Sequence, residues 1–456
     1  MRARISPHLF SGTVRIPASK SHTIRQLLIA SLAGGVSEII APLDSLDTRS
    51  CADACRAFGA VITEHRAPDA QCPNPPDNDG ARLVSYTVQG NNGFGVRRRF
   101  SRSIDVGNSG TTLYLALAAA GLGNEPFEFT GDEQIQRRSA APLLEALCGL
   151  GIRAESVNSN SNGCAPIIVQ GPWKGGKATL PCPTSQYLSA ILLAAPLAPD
   201  GVVTEIAVPL LNERPYVEMT LSYLDAQGIP WEAEPNFSRF VIPGGASWKP
   251  FSRSVPGDFS SAAFPACAAA ISGGPVTILG LDPNDLQGDK FFLEMLDGMG
   301  CTVQWEQIPE TAEYRLTVSR SGPLHGGSFD LNATPDLLPA AAVTAAFAEG
   351  DTALVNVAHA RIKETDRITV MAAELAKLGV RCTELPDGLI VHGGGLAGGG
   401  VSGGCINGHG DHRIVMAFAA AALSAQAPIV IDGAESAAVT YPGFLELLQA
   451  EYAEPL

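Results

Sequence analysis

The feature that most constrains this chain is a polar helix start that recurs along the sequence. In its most complete form, Asp411, His412 and Arg413 run directly into an apolar stretch that continues to position 426. The Ala and Leu content of that stretch, together with its length, favours a buried helix over a strand. Unpaired backbone N–H groups and the helix dipole attract anions at such a start. We therefore expect His412 and Arg413 to lie where a carboxylate or phosphate binds.

Similar polar segments precede five other apolar runs, at residues 19–25, 107–112, 184–186, 257–261 and 334–336. The glycines that end these five runs, at positions 34, 121, 201, 273 and 350, are 87, 80, 72 and 77 residues apart. A second helix is predicted after each run. Six repeats of this period are too long for a solenoid, so they indicate two compact domains of three units each.

Length and composition agree with two globular domains and restrict the partners. A chain of 456 residues is long for one hydrophobic core. The net charge of −15 argues against nucleic acid or an acidic membrane surface, but a local positive cleft can still bind a small anion. The ten cysteines show no metal-binding spacing and fit a reducing cytoplasm. The apolar run at 414–431 is interrupted by polar residues and Pro428, which argues against a membrane span.

The most informative segment is 359–367, which holds five charged residues in nine positions. Lys363 and Arg367 are four residues apart, which predicts that they share one face of a helix, with Glu364 beside them. A solvent-exposed charge run is the alternative interpretation. An anion site is favoured because the other units place polar groups at similar positions.

Three further segments supply candidate groups, each with a simpler structural alternative. Thr184, Ser185 and Gln186 offer two hydroxyls and an amide for phosphate and hydroxyl groups, although capping alone would explain the two hydroxyls. Asp336 can cap a helix or act as an acid or base. Lys20 and Arg25 are five apart and flank one anion only if it lies at the helix start. Otherwise they are two solvated bases.

In order and spacing, these motifs resemble those of the EPSP synthases (3-phosphoshikimate 1-carboxyvinyltransferases), which belong to the enolpyruvyl transferases. The matching positions are Lys20, Ser21 and Arg25, then 107–111, 184–186, 361–367 and 411–413. The resemblance implies an α/β fold: a two-domain inside-out α/β barrel, each domain built from three βαβαββ-type repeats, with the active site in the inter-domain cleft. It also implies domain boundaries at 17–254 for the first domain, and at 1–16 with 255–456 for the second.

The resemblance further implies an activity. The enolpyruvyl group of phosphoenolpyruvate is transferred to the 5-hydroxyl of shikimate 3-phosphate, giving 5-enolpyruvylshikimate 3-phosphate and phosphate in the shikimate pathway of aromatic amino acid biosynthesis. No metal and no cofactor are implied. We expect a cytoplasmic monomer without nucleic acid or membrane partners.

Site residues follow from the same resemblance. Those implied for shikimate 3-phosphate are Lys20, Ser21, Arg25, Thr184, Ser185, Gln186, Tyr216, Asp336 and Lys363. Those implied for phosphoenolpyruvate are Lys20, Gly110, Arg138, Arg367 and Arg413. The candidates for moving protons are Lys20, Asp336 and Glu364, with His412 in support.

Several positions depart from the family pattern. Glu213 stands where many members have Ser or Thr near the substrate phosphate, so its charge must turn away or be neutralised by Arg214. The other departures are Tyr114, Leu115, Gln134, His359 and Val439.

Three rival functions remain open. Enolpyruvyl transfer to UDP-N-acetylglucosamine is disfavoured by Ser21 after Lys20 and by the lack of cysteine between Cys72 and Cys148. A non-catalytic anion-binding protein is disfavoured by the presence of Lys20, Asp336 and Glu364. A relative acting on another phosphorylated ring acid is kept open by Glu213 and Val439.

Overall fold

The computed structural model describes residues 1–68, 74–77, 79–94, 103–157, 162–311, 313–396 and 400–453. Within these ranges it divides into two compact units. One unit comprises Met1–Ala18 together with Pro256–Leu456, and the other comprises Ser19–Val255. The mixed α/β class expected from the sequence is confirmed.

Most α-helices fall where the apolar runs predict them. In chain order they are α1 (Lys20–Leu32), α2 (Leu46–Ala57), α3 (Gly110–Ala120), α4 (Ala141–Gly149), α5 (Gln186–Ala194), α6 (Arg214–Gln227), α7 (Phe259–Ser272), α8 (Phe291–Gly298), α9 (Leu338–Ala346), α10 (Arg367–Lys377), α11 (His412–Ala422) and α12 (Phe444–Leu447). Short 3₁₀ helices span Ile135–Arg137, Ala195–Leu197, Gly288–Lys290, Pro335–Leu337, Ala358–Ile362 and Ala434–Val439. None of the helices in the part of the chain described is long and apolar enough to cross a bilayer.

The strands are mostly three to eight residues long. The first thirteen are β1 (Arg2–Ile5), β2 (Gly12–Arg15), β3 (Val36–Ile40), β4 (Val61–Ala67), β5 (Arg82–Gln89), β6 (Ser103–Asp105), β7 (Phe127–Thr130), β8 (Arg153–Ser156), β9 (Ile167–Gln170), β10 (Gly176–Thr179), β11 (Val203–Ala207), β12 (Glu232–Ala233) and β13 (Arg239–Pro243). The rest are β14 (Ser252–Ser254), β15 (Val276–Leu279), β16 (Cys301–Gln307), β17 (Tyr314–Arg320), β18 (Leu324–His325), β19 (Ser328–Asp330), β20 (Ala348–Val355), β21 (Arg381–Leu385), β22 (Gly388–Gly394), β23 (Gly404–Asn407), β24 (Ile429–Asp432) and β25 (Glu451–Ala453).

Among the described residues these strands form six sheets with one strand order. In the sheet β6-β7-β9-β8, β6 runs parallel to β7, and β9 is antiparallel to both β7 and β8. The helix α3 connects β6 with β7, and α4 connects β7 with β8. Three sheets draw a strand from far along the chain. In two of them β14 pairs with β3, and β2 pairs with β15. The first strand, β1, lies between β24 and β25.

The centre of each unit is made of helices that are buried on all sides, and those of the unit containing the C-terminal half are rich in Ala. In the unit containing the C-terminal half, α7, α9 and α11 pack on one another, and almost all of their side chains are buried. Small side chains allow this close approach: Thr344 Oγ1 on α9 lies 3.1 Å from Cys267 Sγ on α7. In the other unit, α3 packs on α1 and on α5. Burial on every face explains why these runs lack the polar stripe of a surface helix.

The sequence also predicts one strand over residues 1–16, a helix headed by 134–138, a surface loop over 64–82 and a flexible glycine turn at 393–400, and the structure differs from each of these predictions. Residues 1–16 form two strands rather than one. The segment at 134–138 does not head α4 but forms its own 3₁₀ turn, and α4 begins three residues later. The expected loop at 64–82 begins inside β4, and its residues 69–73 and 78, like 95–102 of the 64–104 segment, lie outside the described residues. The expected glycine turn at 393–400 overlaps the end of β22, and residues 397–399 are again outside the description.

The expectation that Lys363 and Arg367 share one helical face is wrong. Asp366 is the N-cap of α10, and its side chain accepts a hydrogen bond from the backbone N–H of Thr369 at 3.1 Å. The helix therefore begins at Arg367. Lys363 instead follows the 3₁₀ helix Ala358–Ile362 in a non-helical conformation.

Candidate active site

The predicted site residues of the unit Ser19–Val255 begin with Lys20, the first residue of α1. Ser19 caps this helix by accepting from the backbone N–H of His22 at 3.4 Å. The Lys20 ammonium lies 3.0 Å from Asp47 Oδ2 in the first turn of α2. The Asp47 carbonyl oxygen accepts from Thr112 Oγ1 at 3.4 Å, which connects α2 to the start of α3. Lys20 is therefore held between two helix starts by a carboxylate.

Gly110 opens α3 next to Arg138, and the fit between them is tight. A Cβ built on Gly110 would lie 2.7 Å from Arg138 Nη1. The next residue along, Ser139, accepts at its carbonyl from the Tyr187 hydroxyl at 2.6 Å, and Tyr187 belongs to α5. The Arg138 segment thus bridges the starts of α3 and α5, where phosphoenolpyruvate and the phosphate of shikimate 3-phosphate are expected.

Arg25 is 1% exposed and is held by neutral oxygens from three helices. It donates to Thr220 Oγ1 at 2.9 Å, to the Ser21 carbonyl at 3.2 Å, to Ser189 Oγ at 3.3 Å and to the Tyr216 carbonyl at 3.1 Å. Burial lowers the pKa of Arg25 to about 10, against the opposing effect of Tyr223, Tyr216 and Glu213. Arg25 thus reaches the backbone of two other predicted contact residues, Ser21 and Tyr216.

The hydroxyls of Thr184 and Ser185 both contact Glu213. The Oε2 atom of Glu213 accepts from Thr184 Oγ1 at 3.1 Å, from Ser185 Oγ at 2.8 Å and from the Ser185 backbone N–H at 3.0 Å. Gln186 follows as the first residue of α5, and its N–H donates to Thr184 Oγ1 at 3.4 Å. All the predicted site residues of this unit therefore belong to one connected group, which we call the first cluster.

The predicted residues of the other unit centre on Arg367, whose side chain is fully buried. Its guanidinium donates to Asp411 Oδ2 at 2.8 Å, to Asp336 Oδ1 at 2.7 Å and to Glu364 Oε2 at 2.6 Å. Arg413 donates to the second oxygen of Asp336, Oδ2, at 2.8 Å. We call these residues, with Lys363 and His412, the second cluster.

The start of α11 is shaped by Asp411. As N-cap it accepts from the Arg413 backbone N–H at 2.9 Å, while its oxygens also bind the Arg367 guanidinium. His412 Nδ1 lies 3.9 Å from Asp411 Oδ1, and the His412 side chain is 3% exposed. Asp411 therefore holds two predicted site residues, Arg367 and Arg413, by hydrogen bonds and lies close to a third, His412.

The electrostatics of the second cluster keep its central carboxylate ionised. Burial raises the pKa of Asp336, but Arg413, Lys363 and Arg367 outweigh it and hold that pKa well below its usual range. Burial acts to lower the pKa of Arg367, but Asp411, Glu364 and Asp336 outweigh it and raise that pKa above its ordinary value. Asp336 is thus a carboxylate at neutral pH, which can accept a proton but carries none to donate.

Comparison with known proteins identifies the family of this chain. The family model for EPSP synthase (3-phosphoshikimate 1-carboxyvinyltransferase) matches residues 6–448. The chain belongs to the EPSP synthase family. A 3-phosphoshikimate 1-carboxyvinyltransferase from Acetivibrio thermocellus is 45% identical over 439 residues, covering 96% of this chain and 95% of that protein. One from Ruminiclostridium cellulolyticum is 43% identical, covering 96% of each.

Solved structures of EPSP synthases are also similar. An EPSP synthase from Acinetobacter baumannii superposes with a TM-score of 0.78 at 27% identity, covering the whole of both chains. The enolpyruvyl transferase NikO from Streptomyces tendae superposes with a TM-score of 0.70 at 18% identity, covering 99% of this chain and 97% of that one. This last likeness shows the fold alone.

The structure shows the contacts of the residues at which this member of the EPSP synthase family departs from the family pattern. The Tyr114 ring packs edge-on against Tyr187 with centroids 5.0 Å apart, and Leu115 is buried beside it. Gln134 Oε1 accepts from Asn108 Nδ2 at 3.0 Å. His359 is buried, and its Nε2 lies 3.1 Å from the Asn332 carbonyl oxygen. Val439 ends the 3₁₀ helix Ala434–Val439.

The expectation that the Glu213 carboxylate turns away is wrong, because it lies on the hydroxyls of Thr184 and Ser185. Arg214, the cation expected to neutralise it, binds Glu218 at 2.8 Å and lies over the Phe237 ring, 4.1 Å from its centroid.

Sequence reasoning assigned no role to Asp47 or to Asp411, the carboxylates that hold Lys20 and Arg367. The only local signal was that both occur at helix starts, where an acidic residue is ordinarily a cap. The polar segment 257–261 predicts that Asp258 caps α7; Asp258 does occupy the N-cap position, but its side chain makes no capping hydrogen bond and accepts from Ser261 Oγ at 2.9 Å. Among the described residues, no group of three or more His, Cys, Asp or Glu side chains could hold a metal ion.

Proposed function

We propose that this protein transfers the enolpyruvyl group of phosphoenolpyruvate to the 5-hydroxyl of shikimate 3-phosphate, releasing phosphate. The observation that carries the proposal is the family match over residues 6–448, which includes both clusters. The finer arrangement is part of the proposal. It comprises an inside-out barrel with domains at 17–254 and at 1–16 with 255–456, and a cytoplasmic monomer in which both clusters serve the same two substrates.

The substrate contacts we propose use the first cluster mainly for recognition. Both substrates are polyanions, and the cluster combines cations with helix-start N–H groups and hydroxyls. Shikimate 3-phosphate is assigned to Ser21, Arg25, Thr184, Ser185, Gln186 and Tyr216. Phosphoenolpyruvate is assigned to Gly110 and Arg138, with Lys20 touching both.

The second cluster supplies charge and a base. Asp336 and Lys363 complete the set for shikimate 3-phosphate, and Arg367 and Arg413 the set for phosphoenolpyruvate. Because Arg413 and Lys363 hold the pKa of Asp336 low, a substrate anion that engages those cations weakens their hold and makes Asp336 a stronger base. Asp336 is then suited to take the proton of the 5-hydroxyl.

A second proton must reach the methylene carbon of phosphoenolpyruvate, and the methyl group so formed must lose a proton again as phosphate leaves, because the enolpyruvyl product carries a methylene. Lys20 and Glu364 are the proposed donors, with His412 supporting the network. Lys20 lies beside Asp47, whose Oδ2 is 3.0 Å from the Lys20 Nζ. Glu364 binds Arg367, the same guanidinium that holds Asp336. Lys20 therefore has a different partner from the base Asp336, whereas Glu364 shares Arg367 with that base.

The test is a phosphate-release assay with purified protein. We expect phosphate only when phosphoenolpyruvate and shikimate 3-phosphate are both present, in equal amount to the enolpyruvyl product formed. Shikimate without its phosphate and UDP-N-acetylglucosamine serve as alternative acceptors. Release with UDP-N-acetylglucosamine but not with shikimate 3-phosphate would reject the assignment.

A further inference from the structure

The Glu213 carboxylate lies on the donors that the proposed function assigns to the substrate phosphate. Its Oε2 accepts from two hydroxyls and one backbone N–H of Thr184 and Ser185, all within 3.1 Å. The side chain is 3% exposed. A carboxylate bound by two hydroxyls and an N–H at a helix start is held as a phosphate would be.

The backbone of Glu213 is shaped to put the carboxylate there. Its φ and ψ are +57° and +39°, a left-handed conformation that residues other than glycine, asparagine and aspartate seldom adopt. Glu213 is also the N-cap of α6, although its side chain makes no capping hydrogen bond to that helix. The side chain therefore accepts hydrogen bonds from the residues at the start of α5 and does not cap its own helix.

The nearby cation Arg214 contacts two other side chains. Its guanidinium binds Glu218 and lies over Phe237, as described above. Glu213 also interacts electrostatically with Arg25. Burial lowers the pKa of Arg25, and the negative charge of Glu213 partly offsets that effect. A phosphate on Thr184 and Ser185 would add between one and two negative charges at the same donors. The carboxylate and the phosphate cannot share them.

We propose that Glu213 is a specificity-determining residue, an internal competitor that a substrate phosphate must displace from Thr184 and Ser185. The inference rests on the proposed function, because that function places the phosphate there. Simple phosphates such as the inorganic ion gain too few other contacts to displace the carboxylate. Shikimate 3-phosphate has Arg25, Tyr216 and Gln186 as further partners, so it alone overcomes the competition.

The experiment measures binding of two ligands by titration calorimetry to the full-length protein. The ligands are shikimate 3-phosphate and shikimate, which lacks the phosphate. The variants are Glu213→Gln, which keeps the shape but removes the charge, and Glu213→Asn, which suits the left-handed backbone and shortens the side chain. Glu218→Gln is the matched control, because it removes an exposed carboxylate from the same helix start.

We expect both Glu213 variants to bind shikimate 3-phosphate at least about fivefold more tightly, because a like charge has been removed. The affinity for shikimate should stay within about twofold, and Glu218→Gln should match the wild type in both. In steady-state assays the KM for shikimate 3-phosphate should fall while the KM for phosphoenolpyruvate is unchanged. Inorganic phosphate should inhibit the variants more strongly than the wild type.

Two results would overturn the inference while leaving the proposed function standing. One is a wild type that releases phosphate as proposed, with Glu213 variants that bind shikimate 3-phosphate no more tightly. The other is an equal gain for shikimate and shikimate 3-phosphate, which would mean that the effect is not directed at the phosphate. If Glu213→Gln does not fold, the same binding measurements on Glu213→Asn test the inference. A wild type that neither binds shikimate 3-phosphate nor releases phosphate would reject the function itself, and the inference with it.

Discussion

Lys20 Nζ lies 3.0 Å from Asp47 Oδ2, so the lysine that the family pattern assigns to both substrates is held by a carboxylate from a different helix. The two side chains are only 14% and 7% exposed. A partly buried ion pair of this kind fixes the ammonium in one place, at the cost of removing both charges from water. Asp47 therefore acts through Lys20 as a positioning residue.

The first prediction concerns this lysine. Lys20→Met should lower phosphate release by at least about 100-fold, because it removes a proposed proton donor and a cation shared by both substrates. The circular dichroism spectrum should be unchanged, since Met fills similar space. Lys177→Met is the control, since that lysine is largely exposed in its pair with Glu205. Full activity of Lys20→Met would remove Lys20 from the mechanism.

The second prediction concerns the buried arginine of the second cluster. Arg367→Lys should lower the free energy of unfolding by about 3 kcal/mol, because an ammonium cannot serve three carboxylates and leaves buried charge unpaired. Chemical denaturation measures the change. Arg361→Lys is the control: Arg361 binds Asp366 and Glu384 nearer the surface and should cost less than about 1 kcal/mol. Equal losses in both variants would contradict the central role of Arg367.

The third prediction follows from the depressed pKa of Asp336. A carboxyl whose folded-state pKa is lowered stabilises the fold above its unfolded pKa of about 4, and loses that effect as the pH falls towards the folded value. The free energy of unfolding of Asp336→Asn should therefore be about 2 kcal/mol below that of the wild type at pH 7. This difference in free energy should become smaller below pH 4. Unfolding titrations between pH 3 and 7 measure it.

The control for this pH experiment is Asp297→Asn, which changes an exposed carboxylate on α8. Its stability relative to the wild type should vary little with pH. If the stability difference between Asp336→Asn and the wild type grows on acidification, the carboxylate is not stabilised by Arg413 and Arg367. At neutral pH the same variant should lose phosphate release, because an amide cannot accept the hydroxyl proton.

The sequence was sufficient for the helix starts because those are local. Ser19, Ser109 and Asp411 each cap the helix that follows them, as expected of Ser and Asp before apolar runs. The same local reasoning failed at Lys363, because Asp366 three residues later is a stronger cap and sets the start of α10 at Arg367. The family resemblance could name the residues, but it could not show which of them are bound to one another.

The contacts that organise the clusters depend on tertiary packing. Asp336 and Arg413 are 77 positions apart, and Thr184 and Glu213 are 29 apart, so no periodicity joins them. The left-handed backbone conformation at Glu213 could not be predicted from the sequence either, because glutamate has no preference for that conformation. A charge at that position could be recognised as unusual, but the donors that it would occupy could not.

The last prediction concerns the fit between Gly110 and Arg138. In Gly110→Ala the added Cβ would lie 2.7 Å from Arg138 Nη1 and 3.7 Å from the Tyr114 ring, so the end of the arginine must move. The backbone of Gly110 is helical, so alanine should not destabilise the fold. We expect the KM for phosphoenolpyruvate to rise about tenfold, because Arg138 leaves its place, while the KM for shikimate 3-phosphate changes less. Gly298→Ala is the control, since an added Cβ there meets nothing within 4 Å. An unchanged KM for phosphoenolpyruvate would place that substrate away from the Gly110–Arg138 contact.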